Sequence, residues 1–169
     1  MKPRPLLKLL LGCLLLPLPL LAHAAEEGDQ APDFALPSIY DSADTISLSD
    51  YAGKAVYVDF WASWCAPCLI SLPQYNELYR EYRDQGLEIV AINVDRPVEE
   101  GLFFLEDTPL DFPVPSDPDG DSLELFGVIG MPTSYLIAPD GTVELVHVGF
   151  RQGDIETITE AIVKVLPEN

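Results

Sequence analysis

Two stretches of the chain are apolar almost without interruption, "AVYVDF" (Ala55–Phe60) and "LEIVAINVD" (Leu87–Asp95). Compact runs rich in Val and Ile predict strands covered on both faces, as at the centre of a sheet. Between them Leu69, Leu72, Tyr75, Tyr79 and Tyr82 recur every three or four residues, which predicts a helix from about Ala66 to Gln85, ended by Gly86. Pro73 falls inside that helix and predicts a kink. Upstream, short strands are expected around Phe34–Leu36 and Thr45–Leu48, and Asp50-Tyr51-Ala52-Gly53 reads as a turn. Downstream, the pattern predicts a helix near Val98–Glu106, a short strand at Phe112–Pro115 and a short helix at Asp119–Phe126. "TSYLIA" and "TVELVHVGF", joined by Pro139-Asp140-Gly141, read as an antiparallel hairpin. A closing helix carries Ile155, Ile158, Ile162 and Val165 on one face. The order is strand–helix–strand–helix, then a hairpin and a last helix.

The N-terminus is built differently. It opens with Lys2, Arg4 and Lys8, continues through "LLLGCLLLPLPLLAHA", and offers Ala22 and Ala24 at the −3 and −1 positions of a cleavage site. That is the layout of a secretory signal, cleaved after Ala24, with residues 25–169 left as one domain. A retained inner-membrane anchor is the alternative, but Pro17 and Pro19 interrupt an apolar run that must reach ~20 residues to span a bilayer. Leu10-Leu11-Gly12-Cys13 loosely resembles a lipoprotein box, although its longer apolar run follows the cysteine.

Cleavage sharpens the charge. Of nine Lys and Arg three lie in the leader, so the exported chain sets six against 28 Asp and Glu, a net charge of −22. Such a surface repels nucleic acid and anionic membrane faces. Membrane contact is then expected only if the leader is retained.

Cys13 leaves with the leader, and Cys65 and Cys68 remain, in "WASWCAPCLISLP". A structural zinc site draws four ligands mainly from Cys and His, and His147 is the single histidine left to join two cysteines. Soft Cu(I) needs fewer sulfurs and stays open as a ligand. A structural staple is weak, because the entropic gain of a crosslink grows with its loop and this one closes across two residues. A redox pair fits the local pattern. Where strand gives way to helix, Cys65 would occupy the helix N-terminus, whose unpaired amides and dipole favour a thiolate. Cys68, one turn deeper, would be the shielded resolving thiol. Pro67 lies in the first turn, where a missing N–H costs little. Asp59 is the other outlier, a carboxylate inside an apolar strand, where burial would raise its pKa.

"VDFWASWCAPC" resembles the active-site segment of the thioredoxin superfamily. Together with the leader, "FPVPSDPDGDSLELFGVIGMPTSYLIAPDG" and "HVGFRQGD", the chain resembles exported TlpA/ResA/DsbE-like thiol–disulfide oxidoreductases over residues 30–166. The resemblance implies an α/β thioredoxin fold: a central mixed sheet flanked by helices, an N-terminal β-hairpin, and a central helical insertion containing Val98–Glu106. It implies that Gly130-Met131-Pro132-Thr133 faces the cysteines, with a cis Met131–Pro132 bond and the Met131 backbone turned to pair with a substrate strand. It implies Asp59 as proton acceptor for Cys68, and Trp64, Ala66, Pro67, Met131 and Pro132 as substrate-facing residues. Trp61 and Trp64 fit active-site packing equally well.

No cofactor beyond the Cys65–Cys68 disulfide is expected. Exported protein thiols and disulfides are the expected partners, with a DsbD-type membrane thiol donor and apocytochrome c or copper-site cysteines among the substrates. A disulfide oxidant or isomerase, and a Cu(I) thiol chaperone, are the competing functions. Two departures bear on substrate choice. Many TlpA/ResA-like chains carry a small amide residue where Asp59 stands, and a glutamate where Ser71 stands. Leu69 and Ile70 also replace the basic or polar residues common after the motif.

Overall fold

The structure, a computed structural model, describes residues 24–167. The leader expectation for residues 1–23 lies outside the described residues, within which no helix is long and apolar enough to cross a membrane.

Four strands form the central sheet: β3 (Ala55–Trp61), β4 (Leu87–Asn93), β5 (Thr133–Ile137) and β6 (Val143–Val148), while β1 (Ala35–Pro37) and β2 (Thr45–Ser47) form a separate antiparallel pair. The order across the sheet is β4-β3-β5-β6, with β3 parallel to β4 and antiparallel to β5. All seven residues of β3 and all seven of β4 are buried, as their unbroken apolar runs predict.

Helix α1 (Ala66–Tyr82) makes the crossover from β3 to β4 and runs through Pro73, whose missing N–H leaves one helical bond unmade. A 3-10 turn over Arg83–Gln85 then leads to Gly86, where φ is +97°. A β-carbon there would also meet Pro167 at 2.5 Å, so glycine ends the helix for two reasons. Between β4 and β5 the chain carries α2 (Glu99–Asp107) and α3 (Asp121–Phe126), and α4 (Asp154–Val165) closes the fold.

The sheet divides two apolar layers. Tyr57 and Trp61 of β3, with Ile89 and Leu136, meet α1 and α4 through Leu72, Tyr75, Ile158 and Ile162. Val56, Val58 and Phe60, with Val90, Ile92 and Tyr135, meet Phe34 and the Phe126 ring of α3. Alternation along β3 therefore places Asp59 on the α1 side with Tyr57 and Trp61.

One local expectation is corrected. Phe112–Pro115 forms no strand. It lies beside β4, where Pro113 and Pro115 carbonyls accept from the Ala91 and Asn93 amides, but neither proline has an N–H to extend the ladder. The expected turn at Asp50–Gly53 is present, closed by Lys54 N–H donating to the Tyr51 carbonyl at 3.0 Å, and it follows directly on a 3-10 turn over Leu48–Tyr51 boxed by Ser47 and Asp50.

Candidate functional site: a disulfide and a buried carboxylate

β3 ends at Trp61 and α1 starts at Ala66, so four residues make the turn that presents the cysteines. Cys65 is the N-cap of α1, its extended backbone (φ −91°, ψ 93°) breaking the helical pattern where the strand arrives. Its carbonyl accepts the first helical bond, from Leu69 N–H at 3.2 Å. Cys65 and Cys68 are joined as a disulfide, with Cα atoms 5.3 Å apart. Their surroundings differ. Cys65 keeps 6% of its surface exposed and Cys68 none, so an incoming sulfur can reach only the first. The first-turn amides of α1 lie at this end of the helix, where they favour negative charge.

The other expected site residues differ in burial. Ala66 is exposed and Pro67 half-buried on the first turn of α1, and Trp64 is 65% exposed. Trp61 is fully buried instead, its Nε1–H donating to the Ala91 carbonyl at 3.2 Å with its ring against Phe104. The two tryptophans thus separate into one packing residue and one surface residue. The Met131–Pro132 bond is cis. Met131 is half-buried and packs against both apolar layers, including the one that holds the cysteines, while Pro132 is buried. Thr133 Oγ1 donates to the Gly130 carbonyl at 2.7 Å, and Gly149 N–H donates to the Pro132 carbonyl at 2.8 Å, which ties this loop to the end of β6.

Asp59 is completely buried. Its Oδ1 accepts a 2.6 Å hydrogen bond from Ser134 Oγ, and its Oδ2 has no hydrogen-bond partner among the described residues. Burial pushes the carboxyl up from 3.8 to about 7, with the Ser134 hydrogen bond pulling the other way. Tyr57 and Tyr75, whose hydroxyls lie 3.4 Å apart, stand near it, and burial raises both phenols above their ordinary value. A carboxyl poised near neutrality, on the sheet face packed by Cys68, can take a proton without a large energetic cost.

Sequence reasoning missed Asp95 and Ser134. Asp95 is fully buried just beyond the end of β4. Both its oxygens accept from Ser63 N–H at 3.1 and 2.9 Å, Oδ1 accepts from Ser63 Oγ at 2.8 Å, and Oδ2 from Asn93 Nδ2 at 2.6 Å. This carboxylate pins the turn two residues before Cys65. Gly101 of α2 rests on the Asn93 amide, where a β-carbon would lie 2.7 Å from Nδ2, so α2 is locked to the same cluster. The signal was available: Asp95 closes an apolar strand just as Asp59 interrupts one. Removing the acceptor strands several donors, so Asp95→Ala should cost about 2–4 kcal/mol. Urea unfolding is expected to show a lowered midpoint with an unchanged m-value.

Beside the pair runs a groove of about 520 Å³, lined by Ser63, Leu69, Phe103, Phe104 and the carboxylates of Glu99, Glu100 and Asp107. The exposed ring of Phe103 makes it partly apolar. Its titratable lining is entirely acidic.

Comparison with known proteins gives a consistent result. The AhpC/TSA family matches residues 27–146. A thiol-disulfide oxidoreductase ResA from Oceanobacillus iheyensis is 43% identical over 119 residues, 69% of this chain and 62% of that relative. The ResA of Geobacillus kaustophilus is 39% identical over 140 residues, 82% of this chain and 79% of its own length. The crystal structure of a candidate thiol:disulfide interchange protein DsbE from Chlorobium tepidum superposes with a TM-score of 0.80 at 44% identity, covering 85% of this chain and 99% of that one. Thioredoxin-type architecture and the disulfide thus agree.

Proposed function

The chain belongs to the AhpC/TSA family and, within it, to the ResA/DsbE-like thiol–disulfide oxidoreductases, and on that premise we propose that it reduces disulfides in exported proteins. The observation that carries this reading is the Cys65–Cys68 disulfide at the start of α1, on the same side of the sheet as a buried carboxylate whose Oδ2 has no hydrogen-bond partner among the described residues.

The cycle starts from the reduced pair. The Cys65 thiolate attacks one sulfur of a substrate disulfide, forming a Cys65–substrate bond and expelling the other substrate sulfur as a thiolate. Cys68 then gives its proton to Asp59 and attacks Cys65 Sγ. The mixed disulfide breaks, the second substrate thiol leaves, and the bond between Cys65 and Cys68 closes. Two electrons pass to the substrate, and the dithiol itself carries them, so no organic cofactor is needed. A membrane-embedded dithiol donor of DsbD type restores the reduced pair, which an oxidising compartment would otherwise not maintain. Trp64, Ala66 and Pro67 on one side and Met131 and Pro132 on the other form the surface that receives the substrate backbone.

The leader-like N-terminus supports a periplasmic location, and exported polypeptides that must keep free thiols, such as apocytochrome c, suit a reductant there. Direction of flow is read most simply in the cell. Acid quenching followed by alkylation should find Cys65 and Cys68 mainly as free thiols. A pair found wholly oxidised, with substrates gaining disulfides in its presence, would make the protein an oxidant.

A further inference from the structure

The resolving step proposed above needs Asp59 to take a proton at one defined place. In the sheet register Asp59 lies between Ala91 on β4 and Ser134 on β5, and Ser134 in turn lies beside His147 on β6. Cross-strand partners share a face, so Ala91, Ser134 and His147 all stand on the α1 side with Asp59. The β4 neighbour offers only a methyl group. The β5 neighbour offers the one hydrogen bond that the carboxyl receives, at 2.6 Å, and Ser134 is itself fully buried. From α1 the Tyr75 phenol acts on the carboxyl while Cys68 packs in the same apolar layer, and Tyr57 lies two positions back on β3. Beyond Ser134, His147 Nε2 sits 3.2 Å from Asp154 Oδ2 of α4.

We propose that Ser134 is a positioning residue for proton transfer: its hydroxyl occupies Oδ1 of Asp59 and leaves Oδ2 as the single atom that takes up and releases the proton. A hydroxyl has one hydrogen to donate, and Ser134 gives it to Oδ1 at 2.6 Å, with the Tyr57 and Tyr75 phenols also within reach of its oxygen. The added proton therefore goes to Oδ2, which has no hydrogen-bond partner among the described residues. The same hydrogen bond favours the ionised carboxyl, because a donor stabilises negative charge more than a neutral carbonyl oxygen. Neighbouring Thr133 points the other way, holding the Gly130 carbonyl. The two hydroxyls that follow Pro132 thus divide the work, one fixing the loop and one fixing the base.

The inference rests on the role given to Asp59, and the experiment separates the two. The Asp59 side-chain carboxyl is labelled with carbon-13 and titrated by NMR in the intact protein, its signal assigned by its loss in Asp59→Asn. Ser134→Ala should move its midpoint upward by about one unit, the scale of a hydrogen bond to a charged acceptor. Ser134→Thr, which keeps the hydroxyl, should restore a midpoint near the parent value. An unchanged midpoint in Ser134→Ala would overturn the proposal. Imidazoles ordinarily titrate in the same range, so the site-resolved signal, rather than a rate alone, decides. In parallel, the pH limb of disulfide reduction should rise with the carboxyl midpoint in Ser134→Ala and be absent from Asp59→Asn. If Asp59→Asn keeps the limb, the base assignment fails, while the titration still decides whether Ser134 governs the carboxyl.

Discussion

Cys65→Ser should lose disulfide reduction by about three orders of magnitude or more, about 4 kcal/mol of barrier. Serine at this position still begins α1 and can still cap it, so the fold and its unfolding midpoint should change little. What disappears is the one sulfur of the pair with exposed surface. Cys68 cannot substitute, because it is fully buried beneath the first turn of α1. The companion variant gives a different result. Cys68→Ser keeps the attacking thiol but removes the group that resolves the mixed disulfide, so a covalent Cys65–substrate adduct should accumulate. Mass spectrometry under non-reducing conditions should find that adduct, and a thiol reductant should release it. An adduct through Cys68 in the Cys65→Ser protein would reverse the assigned roles.

Asp59→Asn should make the protein more stable and a poorer catalyst at the same time. The carboxyl titrates at about 7 in the folded chain against 3.8 ordinarily, because burial disfavours its charge. Below pH 3.8 the group is protonated whether the chain is folded or not, and it costs no stability. As pH rises from there to about 7, the unfolded chain ionises while the folded one holds its proton, so stability falls steadily. Above that the loss levels off at about 4 kcal/mol, the equivalent of about three units. An amide in place of the carboxyl removes the ionisation altogether. The stabilising effect of the substitution should therefore be large at about pH 8 and small at about pH 4, as denaturant unfolding at the two values would show. The cost appears in turnover. Without an acceptor for the Cys68 proton, the resolving step should slow by about a hundredfold near neutral pH, the lower range of general-base contributions. Equal stabilisation at both pH values would contradict the buried ionisation invoked here.

These two effects arise from residues that announced themselves in the sequence. Asp59 broke an apolar strand, and Cys65 and Cys68 stood where a strand passes into a helix. Both signals are local, and both survive in the structure. β3, β4 and α1 were legible for the same reason, since burial on two faces imposes long apolar runs and burial on one imposes a three-to-four repeat. What could not be read was lateral. Ser134 acts on Asp59 only because β5 pairs antiparallel with β3 in one register, and 75 positions separate the two in the chain. Asp95 reaches Ser63 across 32 positions in the same manner. Phe112–Pro115 misled in the opposite sense: apolar and adjacent to β4, it has the composition of a strand but two prolines without the donors to make one.

The acidic groove beside the pair continues the same theme. Glu99, Glu100 and Asp107 lie on one helix, yet Ser63 and Leu69 join them only because α2 is fastened to the turn before Cys65 through Asn93 and Asp95. The turn that presents the sulfurs and the helix that borders them are therefore joined through one buried polar cluster.

The central claim is that Cys65 and Cys68 work as a reductant. The equilibrium reduction potential of the pair, measured in defined thiol/disulfide buffers with mass-spectrometric trapping, tests it most directly. The account predicts a value near or below about −220 mV, in the range of glutaredoxins and thioredoxins. A value near about −120 mV, as in a strong oxidant, would contradict it and make the protein a donor of disulfides.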